Sequence, residues 1–486
     1  MIIVKKLINF RASLIFFVIF ANGISAQEFR GTIYSAMNTI PHRDNSLNLY
    51  DFGKNSAWLL QDEKEDWLKI SPSFSNTSGD YKRKYDFGER HLYNLNFKGV
   101  KLLSSGTFLG EAGYNYEDRK EVYRSLKYDT YDGEAFFSTD SVSGSFSYRG
   151  PSMGFTYSFE LLPDFYLGPS LKYSVMSGLK TIYSKAKTIF RRVETGLGVA
   201  YKFNPSFIAG TTIELGDSQE KIDSRSDDSQ PVEIFNYRGE TYFISDRSNI
   251  VAQKVKKQNL RLGAQIFLSA GRKFQFAAKG DVRKKKTRIL IPRANIQNNE
   301  DGYADTWGYD IAFQSRYYHS ENLSYGAFFD YIKDESRSFI SNGSLLIWDW
   351  NTGMLKAGSG FSYYFKEINL KLAGELEYGR LIADSSKYID LRANNIKSDN
   401  YLAKLNVEYT FSDDLILSAG FDAGYYGTDL ISGGRNTISN DIRAGLCKIW
   451  KDLQASLGID YSIRSPHSGR IRRTIFTFIE LKYSSF

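Results

Sequence analysis

Cysteine and proline are scarce in this sequence of 486 residues, and each scarcity narrows the possible folds. The single cysteine, Cys447, has no partner for an intrachain disulfide and cannot build a cysteine-based metal cluster or a lipidated N-terminus. Only nine residues are proline, so almost every backbone N–H can donate a hydrogen bond, as the ladders of many β-strands require. We therefore predict a fold that is held by strand pairing, without disulfides, metals or other cofactors.

Beyond the N-terminal region the sequence also lacks a hydrophobic run that could cross a membrane as a helix, and it lacks a Pro/Ser-rich linker between domains. The first 26 residues carry three basic residues, an apolar run from Ala12 to Ala21 and small residues that end at Ala26. This layout is typical of a cleavable secretory signal peptide, and a membrane anchor fits less well because the run is short. We predict cleavage before Gln27 and an exported protein.

Aromatic residues are abundant instead, at 15% of the chain, and they recur with a period of two. Residues 153–176 show the pattern most clearly, because Met153, Phe155 and Tyr157 alternate with small or polar residues before a turn at 162–164. A second run of the same kind follows that turn. This period is that of a strand with one apolar face, and each run is long enough for the about 9 to 11 tilted residues that cross a bilayer.

The same hairpin recurs along the chain, with eight tight turns in all. A first strand at about 67–75, which contains Pro72, and a last strand at about 472–483 bring the total to about 18 strands, with 16 as the lower estimate. We predict an all-β fold, a transmembrane antiparallel up-and-down β-barrel with short periplasmic turns and long extracellular loops. The turns are centred on residues 105–106, 162–164, 204–205, 271–272, 320–321, 366–367, 413–414 and 451–452, and the predicted loops span 118–143, 178–190, 218–256, 291–304, 335–352 and 383–400.

A soluble β-sandwich or propeller is the alternative, and a mean hydropathy of −0.39 would suit it. That average is misleading for a barrel, because only about half of each strand faces lipid. Aromatic pairs also precede several short turns, where a membrane interface favours them, namely Tyr201 and Phe203, Tyr363 and Phe365, and Tyr409 and Phe411. We predict a signal peptide at 1–26, an N-terminal periplasmic or lumen-plugging segment at 27–66, and a barrel at 67–486 in the outer membrane of a Gram-negative bacterium.

The sequence resembles a family of outer-membrane β-barrel proteins from Bacteroidota that has no established activity. The resemblance is carried by the stretch from Gly53 to Trp58, by the stretch from Gly79 to Arg83 and by the hairpin at 153–176. The chain is also loosely similar to fatty-acid-transporter-type barrels, whose N-terminal segment enters the lumen with an Asn-Pro-Ala motif. This second resemblance implies that a plug is formed by the matching residues, which here are Asn55, Ser56 and Ala57.

Charged residues occupy the strand faces opposite to the apolar ones, and in a barrel those faces line the lumen. They could pair across neighbouring strands in a hydrated, cross-linked interior, or they could line a selective pathway for a solute. Both signs of charge are present, with acids in excess. The lumen-lining candidates are Arg261, Lys279, Asp310, Arg316, Asp330, Glu375, Glu377, Lys404, Glu408, Asp422, Asp460 and Glu480.

Signs of enzymatic chemistry are weak. The sequence has four histidines, and none has a Ser or Asp partner in a recognisable catalytic motif. The adjacent Asp227 and Asp228 lack the alternating ligand spacing of a calcium loop. We predict that the protein is not an enzyme.

The expected partners follow from export and from charge. A net charge of +8 does not indicate nucleic acid, because basic and acidic residues are interspersed along an exported chain. The basic run 283–288 could contact outer-membrane lipid and lipopolysaccharide, although a solvated loop tip is the simpler interpretation. The terminal Phe486 resembles the aromatic residue that the barrel assembly machinery reads.

Two functional hypotheses remain open at this point. The leading one is a porin-like channel or transporter for an unidentified small solute, because about eighteen strands enclose an aqueous path unless something plugs it. The alternative is a non-conducting structural or assembly partner that binds another envelope protein through its loops.

Overall fold

The computed structural model describes residues 48–484, except 64, 84, 129–134, 183, 226–231, 249, 272, 294–295, 413 and 429–434. The predicted signal peptide, the first part of the N-terminal segment, the Asp227-Asp228 pair and Phe486 lie outside the described residues.

Eighteen strands form one closed antiparallel sheet, the barrel. Each strand pairs with the next in chain order, and the first strand pairs with both the second and the last, which closes the ring. The predicted fold class is thereby confirmed. The barrel strands are β1 (Trp67–Gly79), β2 (Glu89–Leu103), β3 (Gly106–Val122), β5 (Gly144–Leu162), β6 (Phe165–Lys180), β7 (Lys187–Asn204), β8 (Phe207–Arg225), β11 (Ile250–Ala270), β12 (Phe274–Arg293), β13 (Ile296–Tyr318), β14 (Leu323–Ile340), β15 (Leu345–Phe365), β16 (Leu370–Lys387), β17 (Arg392–Ser412), β18 (Leu415–Thr428), β19 (Arg435–Trp450), β20 (Leu453–Ser465) and β21 (Arg472–Ser484).

Large apolar side chains lie on the outside of the barrel at every second residue. On β13 this exposed row runs from Tyr317, next to a short turn, to Trp307. Ten residues of tilted strand rise by about 25 Å, which matches the apolar belt of an outer-membrane barrel. The predicted aromatic pairs include Tyr201, Phe203 and Phe411, which are exposed at the short-turn edge of this belt.

Most of the polar segments that were predicted as loops continue as paired strands. Segments 335–352 and 383–400 each contain only four residues outside the strands, 341–344 and 388–391. The longest strand, β13, has 23 residues and spans roughly 60 Å, about twice the hydrocarbon thickness of a bilayer. Above the membrane both faces of a strand are polar, so the alternation that identifies strands in the sequence is lost while the backbone ladder continues.

The first strand contains Pro72, as predicted. Its ladder to β2 is continuous, whereas its ladder to β21 skips Ser71 and Pro72. A proline nitrogen carries no hydrogen to donate, so one of its two neighbours loses a ladder bond. The strand nevertheless closes the barrel.

Two short helices precede the barrel and lie inside it. Helix α1 (Leu49–Gly53) is joined through a 3₁₀ turn at Ser56–Trp58 to helix α2 (Leu59–Asp62). We call residues 48–62 the docked segment. Further 3₁₀ turns occur at Asn342–Ser344 and Lys366–Ile368. Within the described residues, no helix is long and apolar enough to cross a membrane.

A second, three-stranded sheet lies at the end of the barrel opposite to the short turns. It consists of β4 (Phe136–Asp140), β9 (Val232–Arg238) and β10 (Phe243–Ser248). With residues 81–83, 85–88 and 122–128 it forms what we call the cap. Two buried clusters join the cap to the wall: Phe136 packs with Val255 and Trp348, and Ile234 packs with Tyr148. The cap therefore covers the mouth of the lumen.

Candidate functional site

All twelve predicted lumen residues lie on strand faces opposite to exposed apolar side chains. Arg261 lies between the exposed Leu260 and Leu262, and Glu480 lies between Ile479 and Leu481. Adjacent residues of a strand point to opposite faces of the sheet. The twelve side chains therefore point toward the lumen, spread over β11 to β21.

Several of these residues pair with charges of opposite sign on neighbouring strands. Lys279 Nζ lies 3.2 Å from a carboxylate oxygen of Asp310. Lys404 Nζ lies 2.9 Å from Glu375 and 3.7 Å from Glu377. These ion pairs lie at separate places on the wall and do not converge on one point.

The structure adds partners that the sequence prediction did not include. Arg261 donates to both Glu214 and Asp281, at 2.9 Å each. Arg443 binds Asp422 and lies directly opposite Asp460 in the strand register. The apolar–polar alternation on β8 and β19 could have identified Glu214 and Arg443 as lumen-facing residues. Their partners could not be identified in this way, because they depend on how neighbouring strands are aligned.

The remaining predicted residues are distributed along the same inner face. Lys69 pairs with Glu480 at 3.1 Å, and Arg316 donates to the hydroxyl of Tyr318 at 3.4 Å. Asp330 lies opposite Lys356, and Glu408 lies opposite Lys371. The lumen wall is thus polar and rich in charge throughout the sector from β11 to β21.

The docked segment lies against the inner wall at the short-turn end, and the three predicted plug residues are its anchor. Asn55 Nδ2 donates to the carbonyl oxygens of Val199, at 3.2 Å, and Thr211, at 3.1 Å. Ser56 Oγ donates to the carbonyl oxygen of Gly168, and Ser158 Oγ donates to that of Ala57 at 2.9 Å.

Three glycines on adjacent strands make room for this anchor. A Cβ atom at Gly168 would lie 2.4 Å from the Ala57 nitrogen, and one at Gly198 would lie 2.1 Å from Asn55 Oδ1. At Gly210 a Cβ atom would lie 2.9 Å from Asn55 Nδ2. We call Gly168, Gly198 and Gly210 the glycine cradle. It allows the chain to approach the wall more closely than any side chain would permit.

Apolar contacts add to the docking. Trp58 is fully buried among Leu49, Tyr166 and Ile208, while Leu59 packs on Leu109. Full burial of a large apolar side chain contributes about 1.5–3 kcal/mol. The docked segment contacts strands β3, β5 to β8, β11 and β12, which are seven neighbouring strands of the eighteen.

The lumen side of the docked segment carries charge. Lys54 Nζ lies 3.7 Å from Asp51, and the wall beside them holds Lys172 and the Lys98–Glu111 pair, at 3.0 Å. Burial lowers the pKa of Lys54; Asp51 opposes this shift, whereas Lys172 and Lys98 reinforce it. The segment therefore places a titratable cluster in the lumen.

Asp62 folds the docked segment back on itself, because its carboxyl accepts the backbone N–H of Tyr50 at 2.5 Å. Burial raises the pKa of Asp62 to about 7, although the hydrogen bonds from Tyr50 and Leu49 oppose the shift. A carboxyl whose pKa is raised by docking favours docking while it is protonated. Docking is thus strongest below the ordinary Asp pKa of 3.8 and weakens as pH rises to about 7.

We expect a pH-dependent release of the docked segment. A nitroxide at Lys54→Cys, in a Cys447→Ser background, should show a growing mobile fraction by electron paramagnetic resonance between pH 4 and pH 8. Asp62→Asn should make this fraction independent of pH, because an amide does not titrate in that range. An equal rise of the mobile fraction in the Asp62→Asn variant would contradict the assignment to Asp62.

The three described histidines lie far apart in the fold. His91 pairs with Glu89 at 2.8 Å on β2, His319 follows β13 in a short turn, and His467 lies between β20 and β21. Among the described residues, no group of three or more His, Cys, Asp or Glu side chains is arranged to hold a metal ion.

A closed 18-stranded barrel with an apolar outer belt and a charged lumen defines the fold of the outer-membrane β-barrel class. Within that class, the chain belongs to DUF6850, a family of unknown function, whose sequence profile matches residues 56–471. No curated protein matches the sequence significantly.

Solved structures of similar architecture include transporters and channels. The copper transporter OprC is 8% identical over 87% of this chain and 81% of that chain, with a TM-score of 0.47. The outer membrane transporter YddB from Escherichia coli is 9% identical over 87% and 81%, with a TM-score of 0.44. The CymD monoaromatic hydrocarbon channel is 11% identical over 94% and 97%, with a TM-score of 0.36. Identities this low concern the fold alone.

Proposed function

We propose that the protein is an outer-membrane transporter or channel for a small polar solute, and that the docked segment and the cap keep it closed. The observation that carries the proposal is the docked segment itself. It is bound inside a charged lumen, on one side of the wall, where Asn55, Ser56 and Ala57 lie in the glycine cradle. An aqueous path is the ordinary consequence of a ring of 16 to 18 strands, so a closed state requires such added elements.

The chemistry of the lumen supports a polar solute. Ion pairs such as Lys404–Glu375 and Lys279–Asp310 line the wall, and an apolar molecule would have to displace water from these charges without replacing their hydration. A small ion or polar metabolite can pass while the charged side chains of the wall remain hydrated. No catalytic step is part of the proposal.

Single-channel recording in planar bilayers tests the proposal. The wild-type protein should be silent or show rare, brief steps. Lys180 of β6 forms a buried ion pair with Asp140 of the cap strand β4. A variant that lacks residues 48–62 and carries Lys180→Met, which removes this ion pair, should show steady ohmic steps. Folding of both proteins is checked by heat-dependent mobility in gels and by β-sheet circular dichroism.

Silence of the correctly folded double variant would overturn the transport proposal. The alternative, a non-conducting structural or assembly partner, would then be preferred. In that case we expect another envelope protein to co-purify with the wild type in a fixed ratio. Steps with a reversal potential that depends on the salt gradient would instead give the charge preference of the path directly.

A further inference from the structure

A cluster of cations lies on the outer face of β7, β8, β11 and β12, just above the apolar belt. Trp307 ends the exposed apolar row of β13, and Lys284 lies directly opposite it in the register. Lys284 Nζ lies 4.9 Å from the centre of the Trp307 ring, and Lys286 Nζ lies 5.6 Å from that of Tyr303. These lysines are therefore placed at the height where lipid headgroups meet the barrel, on the side away from the short turns.

The strand register concentrates like charges in this cluster. Lys256 lies directly opposite Arg288, and Lys254 lies directly opposite Lys221. Directly opposed residues on antiparallel strands have Cβ atoms about 4.5–5.5 Å apart, and like charges at such positions destabilise a sheet. The seven cations of the cluster are Arg191, Lys221, Lys254, Lys256, Lys284, Lys286 and Arg288.

The carboxylates on the same surface neutralise only part of this charge. Arg288 pairs with Glu300 at 3.6 Å, Lys221 with Asp223 at 3.3 Å, and Arg191 with Asp217 at 3.9 Å. Asp305, opposite Lys286, is the fourth acid. Within the part of the chain that the structure describes, no ion pair joins a carboxylate to Lys254, Lys256, Lys284 or Lys286. Three positive charges remain in excess.

Other outward cations near the same height are matched by acids. Lys333 pairs with Glu335 at 2.5 Å, and Lys120 pairs with Glu89 at 3.0 Å. The four lysines without an ion pair among the described residues therefore lie together in one sector of the outer surface. A cation array next to an indole ring, above an apolar surface, fits a ligand that combines phosphate groups with acyl chains.

We propose that this cluster is a binding site for the phosphate groups of an outer-leaflet glycolipid, with lipid A as its occupant. The four unmatched lysines contact the phosphates, while the acyl chains lie on the apolar row below, along Leu260, Leu262 and Val282. Bound phosphate relieves the repulsion between opposed cations such as Lys256 and Arg288. The site is on the outside of the barrel and does not depend on whether the lumen conducts.

Native mass spectrometry of the delipidated full-length protein in detergent, with EDTA present, tests the site. The probe is lipid A with two phosphates, and phosphate-free lipid A with the same acyl chains is its control. Replacing the four lysines, in the variant Lys254→Gln, Lys256→Gln, Lys284→Gln and Lys286→Gln, should weaken binding of the phosphorylated probe at least about tenfold. The phosphate-free lipid should bind weakly to both proteins.

A matched control removes four outward cations elsewhere, through Lys120→Gln, Lys333→Gln, Lys397→Gln and Arg473→Gln. Its net charge equals that of the quadruple variant, and its affinity for lipid A should stay within about twofold of the wild type. If the quadruple variant fails to fold, Lys256→Gln with Lys286→Gln should still weaken binding about threefold. Unchanged affinity in the cluster variants, or equal binding of phosphate-free lipid A, would overturn the proposal.

Discussion

Filling the glycine cradle with a side chain should release the docked segment. We expect Gly198→Val to shift the docking equilibrium toward the undocked state by at least about 100-fold, because overpacking adds to the loss of the Asn55 hydrogen bonds. The new Cβ atom would lie 2.1 Å from Asn55 Oδ1 and 2.9 Å from the Ala57 nitrogen. The second of these is a backbone atom, so a change of rotamer does not relieve the overlap.

Gly216→Val is the matched control. Gly216 lies on the lumen face of β8, six residues beyond the cradle residue Gly210, and the nearest atom to its added Cβ is Asn259 Cβ at 3.4 Å. Valine suits a strand at either position, so both variants should form the barrel equally well. The mobile fraction of a nitroxide at Lys54→Cys, in the Cys447→Ser background, should approach one in Gly198→Val and stay at the wild-type value in Gly216→Val. An immobile label in a folded Gly198→Val protein would show that the cradle does not control docking.

The barrel could be predicted from the sequence because its lipid-facing residues form a regular pattern, in which apolar side chains alternate with polar ones. Apolar residues alternate with polar ones over lengths that cross a bilayer, for example Leu260 and Leu262 on β11, Ile311 on β13 and Leu457 on β20. A period of two indicates a strand and not a helix. Each tight turn between two such runs then predicted that the two strands pair as an antiparallel hairpin. Strand order needed no further information, since each strand pairs with the next one in the chain.

The cap could not be predicted in the same way. The pairing of β4 with β9 joins residues distant in sequence, since Phe136 lies opposite Arg238, and the buried apolar residues of the cap face a cluster instead of lipid. Short strands inside polar segments give no long alternating run. The resemblance to fatty-acid-transporter-type barrels implied a plug at Asn55, but its contacts with the wall could not be predicted from the residues, because the cradle glycines resemble the other small residues that alternate along barrel strands.

The docked segment and the cap lie at opposite ends of the lumen, so the two proposed barriers can be tested separately and together. The docked segment contacts the wall near the turns after β5 and β7, whereas the cap contacts the far ends of the strands. If the two act in series, releasing either one leaves the other as a barrier. Single variants should therefore conduct only in brief events, and their combination should conduct steadily.

The cap is fastened by a buried ion pair, and breaking that pair should have the second large effect. Lys180 Nζ on β6 lies 2.6 and 2.8 Å from the carboxylate oxygens of Asp140 on β4, and both side chains are fully buried. Ser184 Oγ donates to the same carboxylate at 2.5 Å. Removing one partner of a buried pair costs about 3–5 kcal/mol, because the other charge stays buried without its counterion.

We expect Lys180→Met to raise amide hydrogen exchange in residues 135–143 and 232–248 by roughly 10²–10³-fold, while the membrane belt stays protected. Asp140→Leu in the same chain should restore most of the protection, since replacing both charges with apolar groups removes the unpaired carboxylate. Arg392→Gln, which breaks a largely exposed contact between the wall and Glu240 in the connection from β9 to β10, should change exchange only a few-fold. Equal exchange in Lys180→Met and Arg392→Gln would mean that apolar packing around Phe136 and Ile234, and not this ion pair, holds the cap against the wall.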